Sequence, residues 1–141
     1  MQLKKTFRDE IRIHALTTKI WSVLTCSQYT SQYLFDSEMI ADWCKDGEIT
    51  WQAEKEGQVQ PVKKGKIHQL IPGICIRFSV IDINGPITEE MVVMYELLPE
   101  EGSINLRMTQ EIPYHSPELY NLVIENWRMI LQKIKWLAEY A

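Results

Sequence analysis

The sequence predicts an α+β fold: one strand, one or two short helices, about six further antiparallel strands and a long closing helix. Three observations predict it. Period-two alternation opens the chain, fairly evenly spaced glycines punctuate the stretch from Glu38 to Pro113, and an amphipathic run from Ser116 closes it. At 141 residues the chain is expected to form a single domain, residues 1–141.

The first strand is read from "LKKTFRDEIRIHA". Leu3, Phe7, Ile11 and Ile13 share one parity, and Lys4, Arg8, Glu10, Arg12 and His14 the other, as in a strand with one wet face. Asp9 interrupts the apolar parity. In "ALTTKIWSVLT", Thr17 or Thr18 is expected to cap a helix carrying Ile20, Trp21 and Leu24 on one face. A second short helix is read in "TSQYLFD", with Ser31 as cap and Tyr33, Leu34 and Phe35 as its apolar residues.

Gly47, Gly57, Gly65, Gly73, Gly85 and Gly102 are expected at turns or bulges between strands, reinforced by Pro61, Pro72, Pro86 and Pro99. In "LPEEGS", Pro99 is placed at a turn's second residue, with Gly102 taking positive φ. Links this short join antiparallel neighbours. The closing helix has Ser116 as N-cap, Pro117 at its first position and Glu118 at the positive end of the dipole. Leu119, Val123, Asn126, Trp127, Ile130, Ile134 and Leu137 recur at three and four. Such a helix runs on the order of 30 Å, enough to cross a sheet.

Strand parity assigns the side chains that face this helix. They are Ile49 and Trp51; Ile74, Ile76, Phe78 and Val80; Met91, Val93, Tyr95 and Leu97; and Ile104, Leu106, Met108, Gln110 and Ile112. A many-stranded sheet twists and curls, so a helix laid across its concave face touches some strands and bridges others. The expected result is a pocket walled by Trp51, Phe78, Tyr95, Met108 and Trp127, with Gln110 and Asn126 as polar anchors. Any one of these rings could be ordinary packing; the expectation of a pocket rests on the architecture. Trp43 is placed at its rim under the second helix. Trp136 and Tyr140, off the main stripe, are read as covering the first strand or first helix.

The stretches "KIWSVLT", "YTSQYLFDSEMIADWCKDGEITWQ", "KKGKIHQLIPG", "YELLPEEGSINLRMTQE" and "ENWRMILQKIKWL" together resemble the bacterial branch of the activator-of-Hsp90-ATPase-like proteins. The resemblance runs from about residue 8 to residue 138, and Leu16 departs from it where members often carry proline. It implies the helix-grip fold of the START-like (SRPBCC, Bet v 1-like) superfamily, with a seven-stranded antiparallel sheet around the C-terminal helix and a deep pocket. It also implies a superfamily that binds sterols, lipids, polyketides or plant hormones, some members catalysing cyclisation. In the eukaryotic activator a separate N-terminal domain contributes to Hsp90 binding. None is read here, so a co-chaperone role is not expected from the family name alone.

Several function classes are set aside. The net charge is −4, and the basic cluster Lys63-Lys64-Gly65-Lys66 is offset by Glu54 and Glu56, so no nucleic-acid face is expected. Cys26, Cys44 and Cys75 form no CxxC pair. With no signal-peptide pattern and no bilayer-spanning run, a cytoplasmic protein without membrane insertion is expected. His14, His68 and His115 lie far apart, and no metal-ligand, nucleotide or nucleophile motif occurs, so neither metal, cofactor nor catalytic residue is assigned. Glu89-Glu90 and Glu100-Glu101 are read as solvated.

The expectation is therefore non-enzymatic binding of a small hydrophobic molecule, lipid, sterol-like or polyketide-like. Two alternatives are kept: a cyclase- or hydrolase-type enzyme on a hydrophobic polycyclic substrate, and a chaperone-linked protein-interaction module. Oligomeric state is left open, a homodimer included.

Overall fold

In a computed structural model, which describes residues 3–34, 37–85 and 87–141, the elements follow in the expected order. They are β1 (Lys4–Ile13), α1 (Thr17–Thr25), α2 (Ser27–Tyr33), β2 (Ser37–Ala41), β3 (Glu48–Lys55), β4 (Gln58–Ile71), β5 (Cys75–Asp82), β6 (Met91–Glu100), β7 (Ser103–Pro113) and α3 (Pro117–Tyr140). The strands form one seven-stranded sheet in the order β1-β7-β6-β5-β4-β3-β2, antiparallel throughout. Short reversals make β2 to β7 sequential neighbours. Only β1 departs from that sequence, because α1 and α2 carry the chain from one edge of the sheet to the other. α3 then lies against β1, α1 and α2.

The parity assignments hold wherever the ladder is regular. Met91, Val93, Tyr95 and Leu97 on β6 are buried, as are Ile104, Leu106, Met108, Gln110 and Ile112 on β7. Two bulges on β4 interrupt that regularity. Val62 is the extra residue against β3, where Trp51 pairs with Lys63 but Gln52 with Pro61. His68 is the extra residue against β5, where Ile67 pairs with Phe78 but Gln69 with Arg77. Bulges increase local twist and bend a strand, and two in one central strand help curl this sheet.

Several local expectations are corrected. Leu16, not Thr17 or Thr18, caps α1, with no side-chain hydrogen bond. Cys26, extended at φ −87° and ψ 130°, ends α1 and starts α2, so Ser31 lies inside the second helix. Phe35 and Pro86 lie outside the described residues. Pro99 belongs to β6 and pairs with Ile104; the reversal is made by Glu101 and Gly102, the latter at φ 76°. Ile74 precedes β5 in a turn and is exposed, and Leu3 is exposed just before β1. Asp9 is half-buried and accepts the backbone N–H of Glu10 at 2.8 Å. Gly65 is at neither a turn nor a bulge but inside β4. Trp136 and Tyr140, expected to cover the first strand or first helix, are largely exposed, their rings tilted at 44° to each other with centroids 6.1 Å apart.

The Ser116 expectation holds: its hydroxyl accepts from the Leu119 N–H at 3.1 Å, and Pro117 follows it.

Candidate functional site

The concave face of β3–β6 and the N-terminal half of α3 border a cavity of about 360 Å³. A chain of rings crosses it. Trp51 on β3 and Phe78 on β5 have centroids 5.8 Å apart, Phe78 and Tyr95 on β6 6.1 Å, and Tyr95 and Trp127 on α3 6.0 Å with ring planes at 76°. Such separations suit edge-to-face and tilted aromatic contacts.

Trp51 and Phe78 sit on strands separated by β4, and Gly65 lets them meet. A Cβ on Gly65 would fall 3.2 Å from Trp51 Cζ3 and 1.8 Å from the Ser79 carbonyl oxygen. The missing side chain admits the indole across β4 and allows the close backbone approach that glycine serves inside a strand.

Of the residues singled out from sequence, Trp51, Phe78, Tyr95, Gln110, Asn126 and Trp127 border the cavity together. Met108 does not. It pairs with Tyr95 across β6 and β7 but is fully buried beneath the cavity surface. Trp43 packs half-buried against the core and does not border the space either.

The polar groups differ in what they have left to offer. Gln110 is spent internally: its Oε1 accepts from Trp127 Nε1, and its Nε2 donates to Met91 Sδ at 3.2 Å. The pair fixes the Trp127 indole and satisfies a buried amide. Asn126 is half-buried, and its side chain has no hydrogen-bond partner among the described residues. The same is true of the Tyr95 hydroxyl, whose pKa burial pushes well above the ordinary 10.0, so it remains a neutral donor. Tyr33 is shifted in the same direction, by burial first, and its hydroxyl donates to the Val23 carbonyl at 2.9 Å.

Sequence reading missed Lys63 and Asp82, which also line the cavity. Lys63 Nζ stands 3.8 Å from Asp82 Oδ1, a buried oxygen with no hydrogen-bond partner among the described residues. Asp82 was findable, since it continues the parity of Phe78 and Val80. Lys63 was findable too, since it continues the parity of Ile67 and Gly65 with no bulge between them; sequence reading assigns it to a basic cluster instead. The lining therefore includes ionisable groups as well as apolar and amide ones. Among the described residues no group of His, Cys, Asp and Glu could hold a metal ion, and no helix is long and apolar enough to cross a membrane.

A curved antiparallel sheet gripping a long C-terminal helix over an internal cavity is the helix-grip arrangement of START-like (SRPBCC) proteins. The profile of the family described as "Activator of Hsp90 ATPase homolog 1-like protein" matches residues 14–139, and the chain belongs to that family. A search of curated proteins returned no significant match. Among solved structures, the solution structure of a Cytophaga hutchinsonii protein superposes with a TM-score of 0.78 at 21% identity, covering 96% of this chain and 94% of that one. The Aha1 dimer from Colwellia psychrerythraea gives 0.75 at 16% identity, covering 96% and 97%. A Chromobacterium violaceum protein gives 0.73 at 19% identity, covering 96% and 98%. At these identities the likeness concerns the fold alone.

Proposed function

We propose that the protein binds a small, mainly apolar molecule in the cavity without transforming it. The observation that carries this reading is the ring chain Trp51–Phe78–Tyr95–Trp127, which borders about 360 Å³ of space. Apolar walls with few placed polar groups are the usual make-up of a ligand site, and burial of apolar surface would supply the affinity, roughly 25 cal/mol per Å² before ordering costs. Trp51, Phe78, Tyr95 and Trp127 act as walls. Asn126 is the free amide anchor, and Gln110 acts through Trp127. Lipid, sterol-like and polyketide-like molecules fit this description.

Titration with the neutral fluorophore N-phenyl-1-naphthylamine tests the reading. Saturable, blue-shifted emission is expected from the wild type. Val123→Phe, which projects a ring from α3 into the cavity, should weaken binding by roughly tenfold or more while the fold is kept. No enhancement with the wild type, or equal binding by both, would refute it.

The family match favours a second reading, a chaperone-linked protein-interaction module, and supports it more directly than it supports ligand carriage. The exposed Trp136–Tyr140 pair on α3 offers aromatic anchors of the kind enriched at interfaces. A purified bacterial Hsp90-type chaperone should then bind the wild type and raise its ATPase rate, and Trp136→Ala should weaken both. An unchanged ATPase rate with no binding would dismiss this reading.

A further inference from the structure

We infer that Met91 is an oxidation site, at which a hydroperoxide entering the cavity turns the thioether into a sulfoxide held by Gln110, leaving the cavity less receptive to apolar molecules. The oxidation stands on the geometry alone; its effect on binding rests on the ligand-binding reading.

Trp127, Gln110 and Met91 all border the cavity and are joined in a relay of fixed direction. An indole N–H can only donate, so the Gln110 oxygen must turn toward Trp127 and its NH2 group away from it. That group meets Met91 Sδ at 3.2 Å. A thioether is a weak acceptor, and Gln110 is buried, so the donor has exchanged water for a poor partner. The amide cannot turn over to find a better one without stranding the indole. An oxygen on the sulfur resolves the mismatch, because it supplies a strong acceptor where the N–H already points.

The reaction balances with the peroxide as its one co-reactant. One peroxide oxygen bonds to Sδ through the sulfur lone pair that Gln110 leaves free, and the O–O bond breaks. The sulfur gives up two electrons; the second oxygen leaves as hydroxide, collects the proton of the first and departs as water. Negative charge builds on the transferred oxygen as the S–O bond forms, and a preorganised N–H beside it lowers the barrier. The product is polar where methionine was apolar.

Other methionines serve as internal controls. Met39 borders the same cavity and is as buried as Met91 (5% exposed against 6%), but among the described residues nothing donates to its sulfur. Met108 is fully buried and does not border the cavity. Access alone would oxidise Met91 and Met39 alike and spare Met108. The Gln110 donor sets Met91 apart.

Treatment of the native protein with hydrogen peroxide tests this, with sulfoxide at each methionine followed by peptide-fragmentation mass spectrometry, which also separates oxidation of the exposed Cys26 and Cys44. Met91 should oxidise roughly fivefold or more faster than Met39, with Met108 slowest, and Gln110→Leu should bring Met91 down to the Met39 rate. N-phenyl-1-naphthylamine should bind the treated wild type roughly fivefold or more weakly than the untreated protein. Treated Met91→Leu should keep the affinity of its own untreated sample. Met91 oxidising no faster than Met39, or an equal loss of affinity in Met91→Leu, would overturn the inference while leaving the cavity reading intact. A wild type that never binds the fluorophore overturns the cavity reading and the binding half of this inference, while the methionine rates still judge the oxidation. The wild-type comparison of Met91 with Met39 decides even if Gln110→Leu does not fold.

Discussion

From Trp127 to Ala138, α3 buries Trp127, Ile130, Leu131, Ile134, Leu137 and Ala138; from Pro117 to Asn126 it fully buries nothing. Both halves carry apolar residues at three- and four-residue spacing. The C-terminal half is fastened to the edge strand. Lys135 Nζ donates to the Arg12 carbonyl at 2.6 Å and to Glu139 Oε2 at 2.8 Å, and that carboxylate also accepts the His14 backbone N–H at 2.8 Å. The N-terminal half is held at its start by the Ser116 cap and by Tyr120, whose ring lies 5.9 Å from that of Tyr114. Between those holds, Leu119, Val123 and Asn126 overhang the cavity. Helical periodicity thus says which side chains face the sheet, and sheet curvature decides whether they reach it.

Truncation on the two halves gives the largest contrast. Ile134 is fully buried, so Ile134→Ala should lower unfolding free energy by about 2–5 kcal/mol. Val123→Ala, at a surface that already borders space, should stay within about 1 kcal/mol. Urea denaturation of both variants checks this, and comparable costs would break the comparison. The junction between the halves comes next. Gln110→Leu removes the acceptor of the Trp127 indole N–H and should cost about 1–3 kcal/mol. Adding Trp127→Phe should then cost less than it does alone, a coupling that a double-mutant cycle reads directly.

The smallest effect concerns the fastening itself. The His14 backbone N–H, and after it Lys135, hold the Glu139 carboxyl below its ordinary 4.5. Asn105 and then Arg107 do the same for Glu10. A depressed folded-state pKa gives stability that is whole above the unfolded value and is lost as pH falls through the folded one. Melting temperature should therefore fall on acidification below about pH 4.5, and Glu139→Gln should show a shallower fall. An unchanged acid limb in that variant would remove Glu139 from the fastening.

How much of this was legible in the sequence depended on ladder regularity. β6 and β7 pair without a shift, and their inward parity could be read from Met91 to Leu97 and from Ile104 to Ile112. β4 carries two bulges, and each reverses the parity beyond it. Lys63 lies between them on the parity of Ile67, and its basic neighbours made it look like part of a solvated run. Ile74 was assigned inward because the turn before β5 cannot be distinguished by alternation. Met108 shows a different limit: parity fixes the face of a side chain, not how deep the layer above it sits. Gln110 and Asn126 were both legible as polar residues on apolar faces, but only geometry shows one engaged and the other free.

The bare backbone at Gly65 has a mutational consequence. It interrupts a lysine-rich, outwardly hydrophilic segment where Lys63, Lys64 and Lys66 are all exposed. A survey of every substitution would be expected to find the neighbouring exposed Lys64 and Lys66 permissive. At the glycine between them even one added methyl must push against the Ser79 carbonyl and the Trp51 indole, so intolerance should spike at a position that a hydropathy plot would rank among the least consequential in the chain.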